Sequence, residues 1–294
     1  MAKTEFEQFL ADTLREDQGK LVPVKASLFE RMFVKKADPE KLHPNPDDEF
    51  CDPEIGPNNE IVSEYVSRIA HCSPDDQPWE EPLIVEKVHP EGYMLLNGHH
   101  RWAAALRTGF SPVGISIVNV TQEVDIERMI QHSTHEKRVT LDLDEVAFCT
   151  GDQIPAEPPL PFPFKRIYKE RIRQGIPALL LFLGRQGYDI WVYTARYYSM
   201  EYLRGYLKRY SVKVDGIVTG AGHKTGRRDA EKKRTDAMLA EQYAETLHID
   251  SNLVLRTRRG VKGFEEYPVE AEPADWSRTV MEIVKGLNPG EKEK

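Results

Sequence analysis

Four short apolar runs, each closing on a small or acidic residue, recur through the back half of the chain: RVTLDLD (138–144), DIWVYTA (189–195), VDGIVTG (214–220) and TLHID (246–250). Helical stretches separate them, over 165–187 with a break at Pro177, over 199–210 and over 234–245. Short strands that alternate with helices are joined by crossovers, and crossovers make neighbouring strands parallel. This pattern predicts a doubly wound α/β domain over 137–287, with its strand ends gathered on one edge, where ligands bind in such folds. A helix near Trp276–Leu287 closes the domain, and the polar end 288–294 reads as a disordered tail.

The front half carries a different pattern. Phe6, Phe9, Leu10 and Leu14 recur at helical spacing, as do Leu28, Phe29, Met32 and Phe33, giving a helical lead-in over 1–34. Residues 38–59 are rich in Pro, Asn and Asp and read as loop. A helix with Ile61, Tyr65, Val66 and Ile69 on one stripe follows. Strands are expected at 82–88, 93–97 and 114–120, with Gly98-His99-His100-Arg101 opening a helix between the last two. Residues 35–122 thus form an α+β domain. A connecting helix over 123–136 leads into the second domain with no flexible linker, and the chain has no internal repeat.

Composition bounds the function classes. The longest apolar run, Ile176 to Leu183, is far shorter than the ~20 residues that span a bilayer. The amino terminus is acidic and amphipathic, unlike a secretory leader, so a cytoplasmic protein is expected. Cys51, Cys72 and Cys149 are too scattered for a disulfide framework or a thiolate metal site. The net charge of -8 divides unevenly. Residues 1–135 hold 13 basic and 24 acidic side chains, a balance of -11, and the remaining 27 basic and 24 acidic give +3. An acidic front half argues against a grip on nucleic acid. The basic clusters at Lys165–Arg173, His223–Arg234 and Arg256–Lys262 read as solvated faces or as a rim that attracts a phosphorylated substrate. Tyr198, Tyr202, Tyr206 and Tyr210 lie four apart and read as packing.

Two segments carry chemistry. At Gly98-His99-His100-Arg101 a strand ends and a helix begins, so free helix N–H groups, a glycine and a forked guanidinium meet in what looks like a phosphate cradle. The same residues also suit an ordinary helix cap, with Arg101 paired to the Asp-rich loop. At the end of RVTLDLD, Asp142 and Asp144 project to one side if the chain stays extended. One carboxylate can attack phosphorus while the other protonates the leaving oxygen, with a divalent cation holding their repulsion in check. Three further elements follow in order: Thr194, Lys232 or Lys233, and Asp250.

The stretch from Pro82 to Val120, with the preceding LHPNP and the helix over 60–70, resembles the ParB/sulfiredoxin superfamily, whose nucleotide-binding signature is Gly-x-x-Arg. Sulfiredoxins carry Cys where this chain has His99, and partitioning ParB proteins carry a downstream DNA reader where this chain has a second α/β domain. The Gly-His-His-Arg sequence is most similar to the free-serine kinases of the superfamily. That resemblance implies ATP, ADP or CTP at Gly98, His99, His100 and Arg101, and a catalytic acid at Glu60, ahead of Glu54.

Residues 137–285 resemble the haloacid dehalogenase superfamily without a large cap. The resemblance implies Asp142 as nucleophile and Asp144 as general acid/base. It gives Thr194 and one of Lys232 and Lys233 to the phosphoryl group, and Asp142, Asp144 and Asp250 to Mg²⁺. The fourth motif departs from the family in reading Asp250-Ser251-Asn252, with no second acid before Glu265. Three functions follow from the two resemblances. The leading one is Mg²⁺-dependent hydrolysis of a small phosphorylated metabolite or nucleotide, the front domain binding a nucleotide or serving as lid. The others are a free-serine type kinase in the front domain and a non-enzymatic nucleotide sensor.

Overall fold

The computed structural model describes residues 5–73, 76–149, 151–221 and 226–288, with side chains of the helix beginning at Gly226 described from 233 onward. The expected tail lies outside the described residues beyond 288. The chain is mixed α/β and divides between Val120 and Thr121 into two compact units, apart from a short stretch before Asp229 that groups with the first. Each unit has one mixed sheet. No helix among the described residues is long and apolar enough to cross a membrane.

In the first unit, α1 (Glu5–Asp17), β1 (Val22–Pro23), α2 (Leu28–Phe33), β2 (Lys36–Ala37) and β3 (Leu42–Pro44) precede α3 (Asn59–Ala70). Then come β4 (Leu83–His89), β5 (Tyr93–Asn97), α4 (His99–Thr108) and β6 (Val113–Ile117). The strand order is β2-β6-β4-β5-β3, with β1 also pairing to β4. β4 and β5 form an antiparallel hairpin, whereas β6 returns parallel to β4 after α4. Leu83, Val85, Leu95 and Ile115 meet Trp102 and the small side chains Ala103–Ala105 in one core. Those alanines let α3 pack closely on α4. The segment expected as plain loop contains two 3₁₀ turns and β3, each 3₁₀ turn capped by an aspartate, Asp38 or Asp48. On α2, Leu28, Phe29, Met32 and Phe33 are all exposed. Their helix forms because Ser27 and Glu30 make a capping box, with no packed apolar face needed.

The second unit starts with α5 (Glu123–Gln131) and β7 (Lys137–Asp142), followed by α6 (Phe164–Ile167), α7 (Ile176–Arg185), β8 (Tyr188–Thr194), α8 (Met200–Arg209) and β9 (Gly216–Thr219). It ends with α9 (Gly226–Gln242), β10 (Glu245–Ile249), β11 (Leu253–Arg258), β12 (Glu265–Pro268) and α10 (Trp276–Leu287). The sheet order is β12-β11-β10-β7-β8-β9. Strands β10, β7, β8 and β9 are parallel, and an antiparallel hairpin of β11 and β12 extends them. The expected parallel sheet is therefore mixed.

Alternation assigns the two faces of this sheet. Val139, Leu141, Ile190 and Val192 share a core with Leu179, Leu183 and Val280, so α7 and α10 cover that face. Trp191 joins Ile130, Leu239 and Tyr243, so α5 and α9 cover the other. The strand order reverses at β7, which leaves a crevice at the carboxyl ends of β7, β8 and β10.

Two boundaries differ from the sequence reading. The single helix expected over 165–187 is α6 and α7 with irregular chain between. Pro177 sits in the first turn of α7, where its missing N–H costs no helical bond. Helix α9 begins at Gly226, eight residues earlier than expected, since its polar first half gives no apolar periodicity.

Candidate functional site

Two candidate sites exist, one in each unit. In the first, α4 starts at Gly98 in a left-handed backbone, φ 102°, with no side-chain cap. A Cβ at Gly98 would stand 2.4 Å from Leu83 Cδ2, so glycine is required there for space as well as for φ. A cavity of about 680 Å³ opens in front of this turn, lined by Gly98, His99, His100 and Arg101 together with Asp48, Trp79 and Glu80. The indole Nε1 of Trp79 is buried without a hydrogen-bond partner among the described residues. A buried orphan donor beside a cavity is costly unless a ligand accepts from it.

The two imidazoles are already engaged. Asn45 N–H donates to His99 Nε2 at 3.3 Å, and Asn58 N–H donates to His100 Nε2 at 3.2 Å. An imidazole nitrogen accepts only when unprotonated, so both rings are neutral here. Burial pushes His99 down to about 4, against the pull of Asp48, whose Oδ1 lies 3.5 Å from Nδ1. Burial also lowers His100. Phe50 stacks on His99 at 5.4 Å and meets His100 edge-on at 5.0 Å. The His pair therefore pins the Pro- and Asp-rich loop to the start of α4.

Arg101 is nearly buried, and burial lowers its pKa. Its guanidinium donates to the Glu81 carbonyl and to Asn97 Oδ1, the latter at 3.1 Å. Its fork thus braces the β5–α4 corner. Glu60 is exposed in the first turn of α3, where its N–H donates to Asn58 Oδ1, and it does not line the cavity. Glu54 is likewise exposed and outside the lining. The acids that do line it are Asp48, Glu80 and Glu81.

In the second unit, the chain does not stay extended after β7. Asp142 Oδ1 accepts from the N–H groups of Asp144 at 2.7 Å and Glu145 at 2.9 Å, curling residues 143–147 into a π-type turn. The two carboxylates consequently do not project side by side as an extended strand would place them. An aspartate at a strand end captures free backbone N–H groups in this way. Asp142 Oδ2 has no hydrogen-bond partner among the described residues.

Asp144 turns towards β8 instead. Its Oδ2 accepts from Thr194 Oγ1 at 2.7 Å and from Ala195 N–H at 2.9 Å. Its Oδ1 is buried and has Arg196 Nε 3.2 Å away, close enough for an ion pair but without an aligned hydrogen bond. Thr194 is fully buried, and its hydroxyl also accepts from Arg196 N–H at 3.1 Å. Thr194 thus holds Asp144, where the sequence assigned it to the phosphoryl group.

Asp250 is exposed at the end of β10, with Oδ1 accepting from Ser251 N–H at 2.5 Å. Asp142 and Asp250 line a cavity of about 380 Å³. Lys233 is exposed on α9, and the side chain of Lys232 lies outside the described residues. Among the described residues no group of three or more His, Cys, Asp or Glu side chains is arranged as a metal cage. Asp142 and Asp250, two of the four acids that line this cavity, still suit Mg²⁺, which keeps several waters and takes one or two protein carboxylates beside substrate phosphate.

Asp48, Trp79, Asn97 and Arg196 emerge only from the structure. All four sit in loops or at strand ends, where no periodicity marks a side chain as facing a cavity. No protein-family model matches the chain, and no curated protein matches it.

Proposed function

We propose that the chain is a Mg²⁺-dependent phosphoryl-transfer enzyme that hydrolyses a small phosphomonoester through the second unit, a capless haloacid dehalogenase-like domain. The observation that carries this reading is the division of labour between the two aspartates. Asp142 presents an unengaged carboxylate oxygen to a cavity, while Asp144 is fixed two residues on by Thr194, Ala195 and Arg196.

In this mechanism Asp142 Oδ2 attacks phosphorus and the ester P–O bond breaks. Asp144 gives a proton to the leaving oxygen. Asp144 then takes a proton from water, whose oxygen attacks the phosphorus and releases the Asp142 carboxylate. Asp142, Asp250 and the backbone carbonyl of Asp144 are the oxygen donors that would hold Mg²⁺, which supplies charge neutralisation at the phosphoryl oxygens. The test is phosphate release from a phosphomonoester panel with Mg²⁺, with Asp142→Asn assayed alongside. Turnover by the native chain that falls by about 10³-fold or more in the variant supports the reading. No release, or equal release by both, overturns it.

A second reading is favoured by one observation, the orphan Trp79 Nε1 beside the Gly98 turn. It gives the ParB/sulfiredoxin-like unit a nucleotide, its phosphates at the uncapped start of α4 and its base near Trp79. Calorimetry with ATP, ADP and CTP tests it, with Trp79→Phe expected to weaken binding. Heat-silent titrations with all three nucleotides overturn it. Phosphoserine formed from ATP or ADP and free serine, without phosphate release from esters, would move the chemistry to this unit.

A further inference from the structure

The cavity that holds Asp142 and Asp250 does not end at the strand edge. Even-numbered positions of β7 and β10 share one face of the sheet, so a polar row runs inward from the two acids: Thr140 and Arg138 on β7, and His248 on β10. Tyr193 on β8 pairs in register with Asp142 and lines the same cavity. An unbroken row of polar side chains is unusual beneath a covering helix, because each must be satisfied or face a ligand.

Arg138 stands out in this row. Its Nε donates to Thr246 Oγ1 at 3.0 Å, its NH1 reaches Tyr193 Oη at 3.5 Å, and its guanidinium lies 5.4 Å from the Tyr243 ring centre. No carboxylate forms an ion pair with it among the described residues. A half-buried guanidinium held only by neutral partners keeps its charge available to an incoming anion. Its polar neighbours in the cavity are fixed by contacts of their own. His248 Nδ1 lies 2.8 Å from Thr140 Oγ1, which fixes the ring in the row. Asp236, the acid at the α9 side of the cavity, is exposed and forms no ion pair with Arg138 among the described residues.

We infer that Arg138, Tyr193 and His248 form a subsite for a second oxyanion of the substrate, a carboxylate or a second phosphate. This rests on the phosphoryl-transfer reading at Asp142. Four residues of strand, about 13 Å, separate the Cα atoms of Asp142 and Arg138. The Arg138 side chain shortens that gap by leaning to Tyr193, whose backbone is level with Asp142. The subsite therefore selects compact esters with a short carbon chain between phosphoryl group and second anion.

The experiment compares kcat/KM for ethyl phosphate, phosphoglycolate and ethylene glycol bisphosphate with Mg²⁺, in the native chain, Arg138→Met and Arg138→Lys. The native chain is expected to prefer at least one of the two esters with a second anionic end over ethyl phosphate by about 10- to 100-fold, the effect of a charge-assisted hydrogen bond. The preferred ester tells carboxylate from phosphate. Arg138→Met is expected to collapse that ratio to within about threefold, and Arg138→Lys to restore part of it. Turnover with no preference, or a preference that survives Arg138→Met, overturns the subsite while leaving the phosphoryl-transfer reading intact. Phosphonoacetate, which cannot be hydrolysed, separates the opposite failure by calorimetry. Binding lost in Arg138→Met, in a protein that hydrolyses no ester, supports the subsite and removes the hydrolase. No binding and no turnover removes both.

Discussion

Acidification should loosen the first unit through His99, and the size of the effect follows from the hydrogen bond it makes. The folded ring must be neutral to accept from Asn45 N–H, and burial sets its pKa at about 4 against an ordinary 6.5. Between those values the unfolded chain binds a proton that the folded chain refuses. Stability is therefore fully present above about 6.5 and is lost as pH falls towards 4. Each pH unit of separation is worth about 1.4 kcal/mol, so the whole window carries roughly 3 kcal/mol, of which roughly 2 disappears between pH 7 and 4.5. The perturbation is His99→Gln, whose Oε1 can replace Nε2 as acceptor and does not titrate in this range. Hydrogen exchange of peptides covering α4, read at pH 7 and 4.5 and corrected for intrinsic rates, gives the local unfolding free energy. The native chain should lose roughly 2 kcal/mol more than His99→Gln over that interval. Glu30, lowered to about 2 by Lys87 and Ser27, acts in a separate, more acidic window. Equal losses in the two proteins, or an imidazole that titrates by NMR at 6 or above, would refute the reasoning.

Other outcomes follow from single contacts. Thr194→Val should cut kcat for phosphate release by about 10- to 100-fold with little change in KM, because it frees Asp144 without touching the substrate cavity; steady-state kinetics read the split. Gly98→Ala should destabilise the first unit by about 2–4 kcal/mol in urea unfolding, since its φ is left-handed and its Cβ would strike Leu83. Glu245→Ala should cost about 3–5 kcal/mol in thermal unfolding, because it strips a buried carboxylate from Arg256 and from Tyr188 Oη at 2.6 Å.

The strands that position the second site were legible because their apolar runs are short, β-branched and closed by chemistry-bearing residues: Asp142 after Val139-Thr140-Leu141, Thr194 after Ile190–Tyr193. Strands β11 and β12 were not. They form a hairpin off β10 in which Arg256, Arg258, Glu265 and Glu266 occupy ladder positions, so neither apolar alternation nor a turn dipeptide announces them. The direction of Asp144 was also hidden. Spacing alone puts it beside Asp142, and only the backbone N–H groups that Asp142 captures turn it towards Thr194. The His pair shows the same limit in the first unit. Sequence places both imidazoles at a helix start, but their acceptors face donors 54 and 42 positions earlier in the chain. Trp79 had no periodic neighbours to mark it as a wall of a cavity.

The pinning of the loop by His99 and His100 has a further consequence for which sequences the fold can accept. Both histidines grip main-chain N–H groups, which every residue but proline carries. The clasp itself is blind to the side chains at positions 45 and 58, which are held to asparagine by other contacts: Asn58 Oδ1 caps α3, and Asn45 Oδ1 accepts from Asp47 N–H. Yet the loop is crowded with proline, and Pro44, Pro46 and Pro57 adjoin the two gripped positions. The prolines narrow the conformations of the free chain, while the gaps between them leave the two donors that the clasp requires. A proline moved by one place would keep the composition of the loop and release it from the helix.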